Sequence, residues 1–222
     1  MVSRIDRKKM VDTALRLLNE VGLDKLTVRR IAAELHVQAP ALYWHVRNKQ
    51  ELLDEMATEM MRRMATPLMA EPVLAAPWQK QLADVCRGLR RGLLSYRDGA
   101  RVFGGTRMVG QGYAAPFDAF LRRLVEAGFA FPDAVQAWWT AYNFTVGLVI
   151  EEQSVHPDPA HPEYRDPAYD DAERERRLGD RYPYAARAGA ELFGDIERNF
   201  EAGLRIIIAG IEATVEIRPD AS

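Results

Sequence analysis

The segment from Leu26 to Leu53, LTVRRIAAELHVQAPALYWHVRNKQELL, holds the residues whose types and spacing best fit binding chemistry. Its second half interleaves small residues with amide, phenol, indole and imidazole side chains: Gln38, Ala39, Pro40, Ala41, Tyr43, Trp44 and His45. Groups of this kind bond base edges in the DNA major groove and the phosphates that flank it. The sequence has no nucleophile–base signature and no glycine-rich phosphate loop following a strand, which disfavours an enzyme.

The spacing within this segment predicts two short helices joined by a tight turn. Thr27 is the predicted N-cap of the first helix. The pattern breaks at 36–38 and restarts before Pro40, which suits a first helical turn. Apolar residues at helical spacing are expected to face inward: Val28, Ile31, Ala32, Leu35, Leu42 and Val46. Trp44 fits either the core or the surface.

Other local signals define the ends of neighbouring helices. Asp6 is expected to cap a first helix that Gly22 closes, and Asn48 with Glu51 forms a capping-box pattern. His36 lies in the turn, where we expect a positive φ that histidine tolerates better than most residues. Cations crowd the start of the first helix, where they oppose the helix dipole: Arg4, Arg7, Lys8 and Lys9. Phosphate contact and simple solvation both explain them.

Composition indicates a globular chain with an uneven distribution of charge. Residues 1–50 hold ten Lys and Arg against five Asp and Glu, whereas the remainder holds twenty against twenty-seven. A basic head on an acidic body suits a protein that reads DNA.

No apolar run approaches the length of a membrane span, and the N-terminus lacks the apolar core of a secretory signal. With one cysteine, Cys86, no internal disulfide can form, and the cytoplasm is the expected compartment.

Downstream, the apolar pattern predicts several further helices. They cover 78–96, 116–127, a strongly apolar stretch from Asp133 to Gln153, a short helix after Pro183, and 195–216. The segment 154–182 lacks apolar periodicity, so we predict a long mobile loop there. It contains residues that suit either a metal site or a solvated loop: His156, Asp158, His161 and Glu163.

Three stretches together resemble the TetR family of transcriptional repressors. They are ALYWHVRNKQELL (41–53), LLSYRDGARVFGGTR (93–107) and FTVGLVIEEQ (144–153). The resemblance implies an all-α fold: an N-terminal three-helix helix-turn-helix domain and a C-terminal helical ligand-binding and dimerisation bundle. The implied boundaries are 1–48 for the DNA-binding domain, 49–66 for a linking helix and 67–222 for the bundle. The two long apolar helices would form the interface of a homodimer.

The resemblance also implies roles for individual residues in DNA binding. Arg29 matches a base-reading arginine, and Gln38 and Ala39 occupy base-reading positions on the second helix. Tyr43, His45 and Lys49 match residues that hold the phosphate backbone. With the exposed small residues of the predicted helix, the candidate DNA-binding set is Thr27, Arg29, Gln38, Ala39, Pro40, Ala41, Tyr43, Trp44, His45 and Lys49. The implied partner is double-stranded operator DNA with a palindromic sequence.

A small-molecule inducer is implied as well, but its chemistry departs from the family's tetracycline site. Phe103 stands where the metal-bound histidine is expected, and three drug-contacting positions hold Ala65, Val85 and Leu89. Thr106, Arg107 and Glu151 are retained. The loss of polar groups disfavours a tetracycline–magnesium inducer and favours an apolar or aromatic one lined also by Trp138 and Tyr142. No metal or cofactor is expected.

Three alternatives stay open at this point. The proposed ligand-lining residues equally fit a plain hydrophobic core. A regulator controlled by a protein partner, or constitutive, would share the DNA-binding head but have a filled body. An activator differs from a repressor by where its operator lies, which the chain itself does not encode.

Overall fold

The computed structural model describes residues 6–68, 76–109 and 113–217, and over these ranges the chain is all-α. A short 3-10 turn at Pro167–Tyr169 is the one other helical element there. The α-helices are α1 Arg7–Val21, α2 Val28–Glu34, α3 Ala39–Leu42, α4 Lys49–Leu68, α5 Trp78–Leu94, α6 Gly99–Phe103, α7 Ala114–Glu126, α8 Phe131–Val155, α9 Asp171–Leu178, α10 Pro183–Phe193 and α11 Ile196–Thr214. The predicted fold class is therefore confirmed.

Side-chain caps begin α2 and α4, as the sequence predicts. The hydroxyl of Thr27 accepts the N–H of Arg30 at 3.2 Å. At α4, Oδ1 of Asn48 accepts the N–H of Glu51 at 2.9 Å. The Glu51 carboxylate accepts in turn from the N–H of Arg47 at 2.7 Å, one residue before the cap that a capping box would use. These bonds fix the chain on both sides of α3.

The ends of α1 and the α2–α3 turn also agree with the sequence-based expectation. Asp6 accepts the N–H of Lys9 at 2.7 Å, and Gly22 ends α1 with φ 75°. His36 has φ 55°, so the turn between α2 and α3 is left-handed at a residue other than glycine. The tight turn is what allows α2 and α3 to pack against each other.

One hydrophobic core is shared by the head, which we define as α1–α3, and the body, which we define as α5–α11. It joins buried residues of α1–α4 to residues of α5, α6 and α8, including Met10, Leu15, Leu18, Ile31, Leu42, Met56, Leu89, Leu93, Phe103, Val146 and Val149. A second core lies between α5, α7, α8 and α11 and includes Trp78, Leu82, Cys86, Phe120, Leu124, Phe200 and Leu204. Because α4 contributes buried side chains from Leu52 to Met64 to the shared core, it is packed over that range and does not merely connect two units.

Three of the differences between the structure and the expectation concern α4, α8 and the segment 154–182. The α4 helix runs to Leu68, beyond the predicted boundary at 66. The α8 helix begins at Phe131 after an uncapped Ala130, so Asp133 lies inside the first turn and is not the cap. The loop predicted for 154–182 contains the 3-10 turn and α9.

Charge and capping, instead of apolar spacing, account for α9. Asp170 accepts the N–H of Glu173 at 2.7 Å, which caps the helix. Acidic residues occupy the first turn and Arg176 and Arg177 the last, the distribution that the helix dipole favours. The helix then packs on α10. The prediction of a loop was wrong for these residues because apolar periodicity contains no signal of a cap or of ordered charges.

No helix within the described ranges is both long enough and apolar enough to cross a membrane.

Candidate DNA-binding surface and ligand region

The candidate DNA-binding residues are carried by the start of α2 and by α3 with the turn that follows it. Trp44 is 89% exposed, which decides between the two placements left open for it. Tyr43 is 51% exposed, and the side chain of Gln38 makes no capping bond to α3. Thr27, Arg29, Pro40 and Lys49 are also exposed, whereas Ala39, Ala41 and His45 are half-buried. The surface therefore offers aromatic and hydrogen-bonding groups to a ligand outside the chain.

Two buried side chains hold α3 from below. Leu42 and Val46 are each 1% exposed, and the carbonyl of Leu42 accepts the N–H groups of His45 and Val46 at 2.9 and 3.1 Å. Burial of two aliphatic side chains stabilises the packed position by about 3–6 kcal/mol. The helix thus presents its outer face while its inner face is part of the core.

Lys49, a candidate phosphate contact, already has one partner inside the protein. Its ammonium group donates to the carbonyl of Leu23 at 3.2 Å. An ammonium group has three donors, so two are left for a phosphate. The contact also places the start of α4 beside the turn that follows α1.

Polar side chains join the end of α1 and the turn that follows it to the body, and we call this contact the latch. It was not predicted from the sequence. Asn19 donates to the carbonyl of Ser95 at 3.3 Å and accepts the N–H of Arg97 at 2.9 Å. Asp98 accepts the N–H of Leu23 at 2.8 Å from a left-handed conformation, φ 56°. The Asp-Gly pair at 98–99 was the one sequence signal of an unusual turn here.

The segment after α6 is bonded to α4 through two side chains. Asp54, 8% exposed, accepts the N–H of Arg107 at 3.0 Å and the amide of Gln50 at 2.9 Å. The hydroxyl of Thr58 accepts the N–H of Val109 at 2.9 Å. These bonds connect residues 107–109 to α4, the helix that follows the α3 turn.

The candidate ligand residues divide between the two cores. Ala65, Leu89 and Phe103 are buried, at 8%, 4% and 1% exposure, whereas Val85 and Trp138 pack partly buried against the second core. Tyr142 links the two sets, because its ring lies 6.2 Å from Phe103 and 5.5 Å from Trp138 between centroids.

The aromatic chain extends further, and we call it the ring chain. Its members are Phe103, Tyr142, Trp138, Trp139, Phe117 and Phe120. Burial raises the pKa of the Tyr142 hydroxyl, so that group is neutral near pH 7. Burial is the only cause of this raised pKa, so no charged side chain contributes to it.

The three polar candidates for ligand binding differ in exposure and in hydrogen bonding. Thr106 is half-buried and donates to the carbonyl of Phe103 at 2.8 Å. The side chains of Arg107 and Glu151 are exposed. Glu151 shares the exposed side of α8 with Gly147, so the structure does not group it with the ring chain.

A partly buried ionic cluster braces the body and was not predicted. Arg90, 8% exposed, donates to both oxygens of Glu152 at 2.8 and 2.7 Å and also pairs with Glu197. Arg87 donates to both oxygens of Glu201 and thereby lowers the pKa of that carboxyl. These bonds hold α5 against α8 and α11.

Neither of the two other reactive groups considered forms a chemical site. Burial raises the pKa of the Cys86 thiol to about 11, so it is an inert core residue. His156 lies 3.0 Å from the carbonyl of Tyr164, and His161 pairs with Glu163 at 3.3 Å. The described part of the chain contains no group of three or more side chains placed to share a metal ion.

A three-helix head with an exposed recognition element, on a helical body with a shared core, defines a helix-turn-helix transcription regulator. Two family models match the chain in that order. Residues 10–56 match the bacterial regulatory proteins of the tetR family, and residues 71–215 match the tetracyclin repressor-like C-terminal domain. The chain belongs to this family of transcriptional repressors, which are DNA-binding proteins and not enzymes.

Named relatives share nearly the whole chain. The class A tetracycline repressor from transposon 1721 of Escherichia coli is 39% identical over 212 residues, which cover 95% of this chain and 92% of the relative. A possible TetR family regulator from Streptomyces coelicolor superposes with TM-score 0.79 at 40% identity, covering 94% of this chain and 99% of that one.

Two solved relatives contain ligands. A single-residue variant of TetR from Acinetobacter baumannii in complex with minocycline has TM-score 0.71 at 32% identity, covering 96% of this chain and 99% of that one. ActR from Streptomyces coelicolor in complex with actinorhodin has TM-score 0.76 at 28% identity, covering 94% and 97%.

Proposed function

We propose that this repressor binds a palindromic operator as a homodimer and is released by a small apolar or aromatic molecule. The observation that carries the proposal is the α3 surface, where Gln38, Tyr43 and Trp44 face outward while Leu42 and Val46 fix the helix below. The proposed division keeps residues 1–48 as the DNA-binding unit, 49–66 as the linking helix and 67–222 as the ligand-binding and dimerisation unit. Its proposed place of action is the cytoplasm, where the DNA lies.

The homodimer would form through the outward faces of α8 and α11. Ile206 on α11 is 72% exposed and Trp139 on α8 is 55% exposed. Gly147 and Gly210 have open space where a side chain would stand, so another helix could approach closely. Packing this pair of helices against the same pair of a second copy would bury the apolar side chains in a four-helix interface.

The ring chain supports an aromatic inducer. Stacked and edge-to-face rings favour flat aromatic ligands by about 0.5–1.5 kcal/mol per pair beyond area burial. The neutral Tyr142 hydroxyl would supply orientation by one hydrogen bond. Phe103 provides no metal ligand where a tetracycline–magnesium complex would need one, so such an inducer is disfavoured. The relatives differ in their ligands, minocycline in one and actinorhodin in the other, so the shared fold accepts more than one compound.

Release would follow from the contacts of α4. A ligand that displaces Phe103 would move the segment Thr106–Val109, which is bonded to Asp54 and Thr58. The linked movement of α4 would change the separation of the two recognition helices. A ligand shifts the protein toward release only by as much as it prefers the released shape.

A second candidate function is a regulator with no small-molecule inducer. Near-complete burial of Phe103 and Leu89 favours it, because these side chains then serve as core. Activation instead of repression would use the same DNA contacts, with the operator placed differently at the promoter.

Fluorescence anisotropy of a labelled duplex from beside the protein's own gene, against an unrelated duplex of equal length, tests the proposal. We expect selective binding to the first duplex at two salt concentrations. Flat aromatic compounds and tetracycline with magnesium would then be added to the complex. Release by the former supports an aromatic inducer, release by tetracycline contradicts the ligand assignment, and release by neither favours the second candidate. Equal binding to both duplexes would contradict operator recognition.

A further inference from the structure

Arg7 joins α1, α4 and the turn after α3 through one guanidinium group. It lies in the first turn of α1, and its Nη1 is 2.5 Å from Oε1 of Glu55 on α4. Its Nη2 donates to the carbonyl oxygen of His45 at 2.9 Å. The Glu55 side chain is 15% exposed, whereas that of Arg7 is 51% exposed. The arginine therefore reaches from the surface to a mostly covered carboxylate.

The position of the His45 carbonyl makes this bridge relevant to recognition. α3 is four residues long, and so short a helix has no stability of its own. Carbonyl groups at a helix C-terminus need partners outside the helix, and a cation near them is favourable. His45 directly follows the exposed Tyr43 and Trp44. A fixed His45 carbonyl therefore limits how that pair can tilt.

α4 holds the same turn at a second point. Glu51 accepts the N–H of Arg47 at 2.7 Å, one turn of α4 before Glu55. The chain from 45 to 47 is thus bonded through a carbonyl by way of Arg7 and through an N–H by Glu51. Buried Leu42 and Val46 restrain the turn through apolar packing, and the two polar bonds restrain its backbone.

We propose that Arg7 is a positioning residue for operator reading, oriented by Glu55, and that the bridge sets selectivity for operator over unrelated DNA. The proposal rests on the proposed DNA-reading function of α3. It assigns Arg7 a role different from the two that its place at the start of α1 leaves open, phosphate contact and solvation.

The two binding roles predict opposite effects for a change at Glu55. If Arg7 positions the turn, Glu55→Gln releases the guanidinium and weakens selective binding. If Arg7 clamps a phosphate, Glu55→Gln frees a cation, removes a negative charge near DNA and strengthens binding to any duplex. The direction in which Glu55→Gln changes the affinity for DNA therefore distinguishes a positioning role from phosphate binding.

The test uses the full chain and four variants: Arg7→Gln, Glu55→Gln, the double variant of both, and Lys8→Gln as a matched control. Lys8 neighbours Arg7, and its ammonium pairs with Asp12 within α1 at 2.7 Å and is 73% exposed. Affinities for the duplex from beside the gene and for the unrelated duplex are measured by anisotropy over a salt series. Circular dichroism on the same samples gives the folded fraction.

We expect Arg7→Gln and Glu55→Gln each to lower the ratio of the two affinities roughly tenfold, the size of one charge-assisted hydrogen bond. The double variant should lose no more than either single variant, because both remove one bridge. Lys8→Gln should leave the ratio unchanged. Lowering the salt concentration should not restore this ratio, because the variants lose the orientation of the turn and not an ionic contact with DNA.

Three results would overturn the assignment. Stronger binding of Glu55→Gln to both duplexes, with a salt slope reduced by about 0.9 in Arg7→Gln, would make Arg7 a phosphate contact. Unchanged ratios would leave the bridge without a role in selectivity. Loss in proportion to the unfolded fraction would make it structural alone. If the unaltered protein itself shows no selectivity, the proposed function fails, and the variants then have nothing to modulate.

Discussion

The carboxylate of Asp98 accepts the backbone N–H of Leu23 at 2.8 Å, and this bond fastens the body to the head. Asp98 holds a left-handed conformation with φ 56°, which costs an L-residue about 1–2 kcal/mol. Arg101 completes the latch, 2.8 Å from Asp98 and 3.1 Å from Asp24. A strained residue is thus retained where the two units meet.

Replacing Asp98 should destabilise the contact between the head and the body. Asp98→Ala leaves the Leu23 N–H unpaired and keeps the backbone strain, so we expect the free energy of unfolding to fall by about 1–3 kcal/mol. Urea unfolding at fixed protein concentration measures it. Asp118→Ala, which removes an exposed ion pair on α7, is the control and should change little. Equal effects of the two variants would contradict a role for the latch.

DNA contacts should separate into base reading and phosphate binding. Arg29→Ala is expected to reduce discrimination between operator and single-base variants by about 1–3 kcal/mol at one position. Lys49→Ala should instead weaken binding to all duplexes and lower the salt slope by about 0.9. Anisotropy with a panel of single-base operator variants distinguishes them. An unchanged base preference in Arg29→Ala would refute its assigned role.

The buried pair of the ionic cluster, Arg90 and Glu152, should be sensitive to loss of one partner. Arg90→Met leaves Glu152, whose side chain is 12% exposed, without its bidentate partner. We expect a loss of about 3–5 kcal/mol of unfolding free energy, because an unpaired buried charge remains. Arg122→Met is the control, since the Arg122 and Asp118 side chains are both largely exposed. Calorimetry or urea unfolding that finds the two variants alike would contradict the role of the cluster.

Acid should lower the stability of the fold through Glu59, which lies on α4. Its pKa is lowered from 4.5 to about 2, chiefly by the hydrogen bond from Arg62 with help from Arg63. A lowered folded-state pKa means that the carboxylate stabilises the fold above its ordinary pKa and loses this effect as the pH falls toward 2. The stability difference between the unaltered protein and Glu59→Gln should therefore be largest near neutral pH and decline from about pH 4.5 to pH 2. A difference independent of pH would contradict the ionised pairing.

The recognition segment could be predicted from the sequence because its determinants are local. Thr27 and Asn48 cap helices within three residues of themselves, and the break at 36–38 marks the turn. The left-handed His36 also followed from the turn it occupies. These features depend on neighbours along the chain, which a pattern of residue types contains.

The body and its attachments could not be predicted in the same way. Leu23 and Asp98 are 75 residues apart, and Arg90 and Glu152 are 62 apart, so no local spacing brings them together. Side-chain burial was equally hidden: the sequence let Phe103 line a ligand site or belong to a plain hydrophobic core, and only the structure gives its exposure of 1%. The helix α9 was missed because its stability comes from a cap and charges.

Hydroxyl-radical footprinting of the duplex from beside the gene tests the central claim most directly. A homodimer that reads DNA through two α3 surfaces should protect two patches related by twofold symmetry. Their centres should lie about 10–10.5 base pairs apart, one helical turn of roughly 34–36 Å, or a multiple of that spacing. A single protected patch, or uniform protection along the duplex, would contradict an operator-reading dimer.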